Sequence, residues 1–379
     1  MSPRITHVIA EFSRREAMGR TVYETATRVP GEHSIVAAHV HDTSDVFADA
    51  LALGGQMETF PLGRSDALAA ALTAQRPDIV HVHGGALAPL LVAGSAVRDY
   101  RSVVTIYAWP RMPHPMRLRQ AGVRAAVDSN VLRPRVLATS VLPGPVAAAA
   151  LRRAGVRAVL SPDPRVLAKL AGRLTVPLHR MGSGAPESAL RATWADEVPV
   201  VLFVGRAETV RGVDTLIEAF PRVRAAVPGA RLRLLLLPRP ELDAITAQAA
   251  TLGDAVDIST EPIADVLAEM ARAQVGAWPF KFDYTTSPPA MAVAEALSVG
   301  LPVVSTKVAC VDAVLGDGAP ALTVPAQDPV ALAAALIRLL TDRALWDRCA
   351  AESPGFVRSR LGWDQMARVT EQAYTEAQA

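Results

Sequence analysis

The chain has 379 residues, half of them hydrophobic, with 39 basic and 37 acidic side chains and two cysteines. That supplies two domains with full cores and excludes a disulfide framework or a Cys-rich metal module. No apolar run reaches the ~18 residues of a membrane span, and the longest, Ala86–Val97, is broken by Pro89 and Gly94. The N-terminus runs straight into a strand with no signal-peptide pattern, so the expected compartment is the cytoplasm. A small net charge hides an asymmetry: residues 1–180 carry 22 basic and 13 acidic side chains, and residues 101–180 carry 14 against 2. Such a stretch is either a basic face for an anionic partner or membrane surface, or arginines decorating solvated helices.

Taken in order, Ile5–Phe12 reads as a strand, followed by a loop from Ser13 to Gly19 and a helix over 20–28. Further strands are expected at 34–40 and 57–62, with helices at 46–53 and 66–74. Asp78–Gly85 then builds a strand whose carboxyl end delivers His83, the end at which open α/β sheets bind ligands. His83 fits either the border of a binding site or a packed or solvated histidine. The next strand, 102–109, carries Tyr107. The Pro- and Arg-rich stretch 111–135 reads as an irregular segment. Strands at 136–139, 158–160 and 176–181 and helices at 145–154 and 164–170 close this half. Gly182-x-Gly184 lacks the third glycine of a dinucleotide fingerprint and reads as a hinge loop, with 182–197 as linker.

From Val198 onward strands and 10–15-residue helices alternate, the pattern of a parallel doubly wound sheet. Val198–Phe220 places Gly205, Arg206, Arg211 and Gly212 between a buried strand and an amphipathic helix. Free backbone amides, a positive helix end and guanidinium forks suit an anion, although an ordinary surface turn has the same elements. Pro221 predicts a kink or an early end to that helix. Asp283–Thr306 reads as loop, helix, stop and strand, with Ser287 as N-cap, Pro288 at the first helical position and Gly300 at the end. Glu295 sits in that helix between two alanines; by itself it fits a solvent-facing stripe or an Arg partner as well as a site.

Together these two stretches resemble the C-terminal half of the family 4 (group 1) GT-B-fold retaining glycosyltransferases. Gly205-Arg206 and Arg211-Gly212 fall at the family's spacing, with Arg for the usual Lys. Glu295-Ala296 matches the second of its two glutamates, and Gly300-Leu301-Pro302-Val303-Val304 matches the helix stop and strand after it. The resemblance covers 198–350 strongly. It implies an α/β chain of two doubly wound Rossmann-like domains facing across a cleft: an acceptor-side domain over 1–181, a nucleotide-sugar domain over 198–355, and a helix at 363–379 packing back on the first.

It further implies transfer of a sugar from a nucleotide diphosphate, UDP rather than GDP, to a hydroxyl acceptor, with retention; the basic stretch 101–180 suits an anionic or lipid-linked one. Neither cofactor nor metal is expected: no Asp-x-Asp pair occurs, and Arg206 and Arg211 would neutralise the pyrophosphate. By the same resemblance Gly19, Gly205, Ser287, Pro289, Ala290, Met291 and Glu295 line the donor, Glu295 taking the ribose diol, while His83 and Tyr107 join the two arginines at the reacting centre. The chain departs from the family at four places. Ser287 replaces the first glutamate, Tyr107 stands where a His is common, Gly19 alone remains of a glycine-rich loop, and Leu237-Pro238-Arg239 replaces a Gly-x-Gly. These departures support an alternative, a nucleotide-sugar-binding homologue with altered or lost chemistry serving as an accessory protein.

Overall fold

The computed structural model describes residues 2–12, 17–40, 57–59, 65–84, 95–107, 142–182, 184–195, 198–283, 289–316 and 318–379. They divide into two compact units, one comprising the residues up to 107, 142–184 and Trp363–Ala379, the other Ala185–Gly362.

In the first unit seven parallel strands run β1 (Arg4–Phe12), β2 (Glu32–Val40), β3 (Met57–Thr59), β4 (Ile79–Gly84), β5 (Arg101–Ile106), β6 (Val156–Ser161) and β7 (Leu178–Arg180). Their order in the sheet is β3-β2-β1-β4-β5-β6-β7. The central strands are buried on both faces, so the polar side chains they carry, His7, His81 and His83 among them, lie inside the unit. Helices α1 (Ala17–Arg28), α2 (Ser65–Gln75), α3 (Gly144–Arg153) and α4 (Pro164–Leu170) connect them. Asp163 caps α4 by accepting from the Arg165 amide at 2.9 Å, with Pro164 at the first helical position. Ile5, Phe12, Leu72, Ile79 and Leu151 are fully buried, each contributing about 1.5–3 kcal/mol over an exposed side chain.

The second unit has six parallel strands, β8 (Val200–Arg206), β9 (Arg231–Leu237), β10 (Val256–Ser259), β11 (Val275–Trp278), β12 (Val303–Thr306) and β13 (Leu322–Val324), ordered β10-β9-β8-β11-β12-β13. Helices α5 (Val213–Ala226), α6 (Leu242–Ala249), α7 (Val266–Ala271), α8 (Met291–Ser298), α9 (Ala309–Leu315), α10 (Pro329–Thr341) and α11 (Arg343–Arg360) join and follow them. Strand order reverses between β8 and β11, and the crevice outside the carboxyl ends at such a switch point is where ligands bind in this architecture.

Several boundaries differ from expectation. Pro221 does not end α5, which continues to Ala226, because the packed face of Val213, Leu216, Ile217, Phe220 and Val223 carries the helix past the lost amide. Likewise α11 runs through Pro354 to Arg360. Gly19 lies within α1, not in the loop before it. The helix expected at 46–53, the strand at 136–139 and the stretch 111–135 lie outside the described residues. Gly184, at φ +66°, faces Trp363, and a Cβ there would stand 1.9 Å from the indole ring, so the second glycine of Gly182-x-Gly184 serves packing. Trp363 opens α12 (Trp363–Gln378), which packs on α1 and on β4–β7 of the first unit.

Candidate functional site

In the second unit the site residues gather at the β8/β11 switch point. β8 ends on Gly205-Arg206, a single 3-10 turn spans Thr209–Arg211, and Gly212 starts α5 in the left-handed region at φ +80°. A Cβ on Gly212 would lie 1.8 Å from the carbonyl oxygen of Pro279. Only glycine lets the loop close onto the end of β11. The Lys281 amide donates to the Val210 carbonyl at 3.1 Å, and the Trp278 indole donates to the Val204 carbonyl at 3.0 Å. The Thr209 amide donates to Glu241 at 2.8 Å. The loop is thus tied to its neighbours on both sides.

Arg211 is largely buried and donates through Nε to Glu208 at 2.9 Å. Burial pulls its guanidinium below its ordinary range; the Glu208 carboxylate opposes that, and the nearby Arg206 charge adds to it. Two guanidinium groups that close, one half-dry, form a preset field for an anion. Arg239 reaches the other Glu208 oxygen at 4.0 Å, so the arginine standing in the family's Gly-x-Gly position joins the same charge cluster. Lys281 pairs with Asp214 beside it.

Helix α8 begins at Met291, with Ala290 in the N-cap position and no side-chain cap. The start is later than the sequence suggests, and Ser287 and Pro288 lie outside the described residues. Among the described residues no side chain caps this start, and the first amides of a helix point off its end, the arrangement that binds phosphate. The Ala290 amide donates to the Cys310 carbonyl at 3.0 Å, and Cys310 lies near Arg211. The fold therefore brings the loop of Arg211 and the segment of Pro289, Ala290 and Met291 to one place. Gly300, at φ +71°, ends the helix: its amide bonds Leu297 and the Leu301 amide bonds Ala296, both at 3.0 Å, the two bonds of a Schellman stop. Glu295 lies half-buried on α8 between buried Ala294 and Ala296.

The first unit holds a site that sequence reading found only in part. His83, at the end of β4, is 2 % exposed and Tyr107, just past β5, is 9 % exposed. Both belong to a buried chain of rings. The Tyr107 hydroxyl lies 3.0 Å from His83 Nδ1, His83 Nε2 lies 3.0 Å from His7 Nδ1, His7 Nε2 lies 2.9 Å from His33 Nδ1, and His33 Nε2 lies 2.8 Å from the Val29 carbonyl. His81, its ring centroid 3.9 Å from that of His83, bonds Tyr374 and Thr105 at 2.7 Å each. Burial holds His7 and His81 well below the usual histidine range, helped by the neighbouring rings, and pushes His83 down to about 3. Burial also raises the Tyr107 phenol. All these groups are neutral near neutral pH.

His7, His81 and His83 bring nitrogens within 4.8 Å of one another, close enough to surround a cation. Every ring nitrogen of the three already has a hydrogen-bond partner. A dication there would break several of those bonds in a dry interior, so the cluster is a hydrogen-bond network first. His7, His33, His81 and Tyr374 were missed because they come from three strands and α12. The available signal was His81-x-His83, which places two histidines on one face of a strand.

Residues 198–342 match the family described as glycosyl transferases group 1. The D-inositol 3-phosphate glycosyltransferase of Thermobispora bispora is 30% identical over 212 residues, 51% of this chain and 47% of its own. The phosphatidyl-myo-inositol mannosyltransferase of Mycobacterium leprae is 30% identical over 176 residues, 46% of each chain. The chain spans about half the length of the curated relatives it matches. Among solved structures, HepE of Anabaena in complex with UDP superposes with a TM-score of 0.74 at 15% identity, covering 98% of this chain and 99% of that one.

Proposed function

Because residues 198–342 belong to the group 1 glycosyl transferases and the chain has the GT-B fold, we propose that the protein transfers a sugar from a UDP-sugar to a hydroxyl acceptor. The observation that carries this reading is the loop of Arg206 and Arg211 at the strand-order switch point, with the start of α8 tied to Cys310 beside Arg211. As the sugar–oxygen bond breaks, negative charge grows on the leaving phosphate. Cations fixed there stabilise the transition state more than the ground state. The backbone at Pro289–Met291 contacts the phosphates and Glu295 accepts from both ribose hydroxyls; the acceptor oxygen bonds the sugar on the face the phosphate leaves, so configuration is retained, and its proton goes to that phosphate, so no dedicated base is needed. Arginines doing the work of a cation make the reaction metal-independent. An anionic or lipid-linked acceptor suits the basic excess of residues 101–180, 14 basic side chains against 2 acidic. The named relatives point the same way, to inositol phosphate and phosphatidylinositol acceptors.

A second reading, a donor-binding protein with lost chemistry, has one observation behind it: His83 and Tyr107 are held neutral inside the first unit. The experiment is a panel of UDP- and GDP-sugars scored for free nucleotide, with and without D-inositol 3-phosphate, in EDTA and in Mg²⁺. Release from a UDP-sugar in EDTA is expected. Tight UDP binding with no release across the panel replaces the transferase by the accessory reading.

A further inference from the structure

The turn after β9 is built differently from the Gly-x-Gly turn of the family, and the difference has a chemical consequence. A glycine turn lets a ligand come close to backbone amides. Here the turn reads Pro238-Arg239-Pro240, and prolines have no N–H. Arg239 alone keeps its amide, and a guanidinium stands where the family has no side chain. Proline fixes φ on either side of Arg239. The Ala207 amide donates to the Leu237 carbonyl and the Leu242 amide to the Arg239 carbonyl, both at 2.9 Å. So held, the turn presents Arg239 beside the anion loop with little backbone freedom left to lose on binding.

The neighbours of Arg239 give it a role. One carboxylate oxygen of Glu208 accepts from Arg211 Nε at 2.9 Å, and Arg239 Nε stands 4.0 Å from the other. Facing Arg211 alone, Glu208 would cancel much of its charge toward a ligand. With Arg239 on its other side, the group of three keeps a net positive charge. The second carboxylate of the turn, Glu241, is engaged by the Thr209 amide at 2.8 Å. Arg239 itself has donors to offer. Its Nη1 donates to the Pro238 carbonyl, its Nε is too far from Glu208 for a hydrogen bond, and Nη2 has no acceptor among the described residues. Its side chain is 34 % exposed, so a ligand can reach it. We propose that Arg239 is a third phosphate-binding cation of the donor site, supplying from a side chain the N–H donors that the Pro-Arg-Pro turn lacks. A guanidinium fork suits phosphate oxygens, and as the diphosphate departs from the sugar a fixed cation stabilises its growing charge. Arg239 meets the diphosphate and not the nucleoside. The inference rests on the donor reading for the identity of the ligand.

The test is calorimetric titration of the full chain with UDP, GDP and uridine, at low and at high salt. Arg239→Met keeps the length of the side chain and removes its charge and donors. The diphosphate that the wild type binds should bind Arg239→Met about tenfold more weakly, the lower end for a lost hydrogen bond to a charged group. Uridine affinity should not change. High salt should narrow the gap between the two proteins, because screening weakens a charge contact. Arg239→Lys should recover most of the loss, and urea midpoints of both variants check that the turn still folds. An Arg239→Met protein that binds the diphosphate as the wild type does overturns the proposal. So does an equal loss for uridine, which would make Arg239 a prop for the turn. Wild-type affinity in a protein carrying both Glu208→Gln and Arg239→Met also overturns it, by making Arg239 only a counter-ion to Glu208. A wild type that binds neither UDP nor GDP overturns the donor reading itself, a result distinct from a wild type that binds and a variant that binds equally well.

Discussion

Arg211 and Glu208 share a 2.9 Å hydrogen bond through the guanidinium Nε, three residues apart on one 3-10 turn. A guanidinium held by Nε still has the four N–H groups of its terminal nitrogens, so Glu208 orients Arg211 without using the edge that meets phosphate. Lysine, usual at this position in the family, has a single ammonium that must choose between the two. Arg211→Ala should lower kcat more than it raises donor KM, by about 10- to 100-fold for a lost charged hydrogen bond of roughly 1.5–3 kcal/mol. Arg211→Lys should recover only part of this, and Arg211→Lys with Glu208→Ala should recover more. Steady-state kinetics of the four proteins checks the ordering. A double variant worse than Arg211→Lys would remove Glu208 from the orienting role.

The approach of Gly212 to Pro279 makes a stability prediction. Alanine there must adopt φ +80° and place a Cβ 1.8 Å from a carbonyl oxygen. The left-handed region alone costs roughly 1–2 kcal/mol, and the clash forces the loop away from β11 in addition. Gly212→Ala should lower the urea midpoint by more than the conformational cost and weaken UDP binding. Gly172→Ala, at φ +69° with nothing within 4 Å of its Cβ, should show the conformational cost alone. Equal midpoints for the two variants would mean that the loop relaxes freely.

The buried histidines tie stability to pH. His83 titrates at about 3 in the folded chain, against roughly 6.5 unfolded. The unfolded chain therefore takes the proton first on acidification. Stability from keeping His83 neutral is complete above about pH 6.5 and is lost progressively as pH falls toward 3. By pH 5 the loss from His83 alone is about 2 kcal/mol, and His7, His33 and His81 shift in the same direction. Urea midpoints between pH 7.5 and 5 should fall for the wild type and fall less for a folded His81→Phe variant. A flat wild-type profile would show the cluster to be hydrated.

The anion loop was legible because its parts are local: a strand, two glycines and two arginines within eight residues have few other ways to fold. The helix stop at Gly300 was legible for the same reason. What was not legible is what the sheet assembles. His7 pairs in register with His81 and Ile9 with His83, so rings more than seventy positions apart stack on one face, and no window along the chain contains them. Tyr107 was visible as a departure from the family, yet its bond to His83 joins it to rings that only the sheet brings together. The start of α8 was misplaced because Ser-Pro is a strong cap signal, whereas here Ala290 holds the N-cap position through its amide bond to Cys310.

Glu295 provides the sharpest test of the nucleotide reading. It is the one acidic side chain of α8, half-buried between alanines, and the ligand it is assigned to is neutral. A carboxylate accepting from the 2′ and 3′ hydroxyls of ribose makes two charge-assisted bonds, and losing such a group costs roughly 1.5–3 kcal/mol. Glu295→Ala should weaken UDP binding by about 10- to 100-fold while leaving the urea midpoint nearly unchanged. The diagnostic comparison is with deoxyuridine diphosphate, which lacks one hydroxyl. Wild type should discriminate strongly against it and the variant hardly at all, because the partner that reads the hydroxyl is gone. Glu295→Gln should fall between them, since its amide keeps one acceptor but not the charge. Calorimetric titrations of the three proteins with both nucleotides check the series. Equal discrimination by wild type and Glu295→Ala would move the ribose elsewhere and leave Glu295 a structural carboxylate.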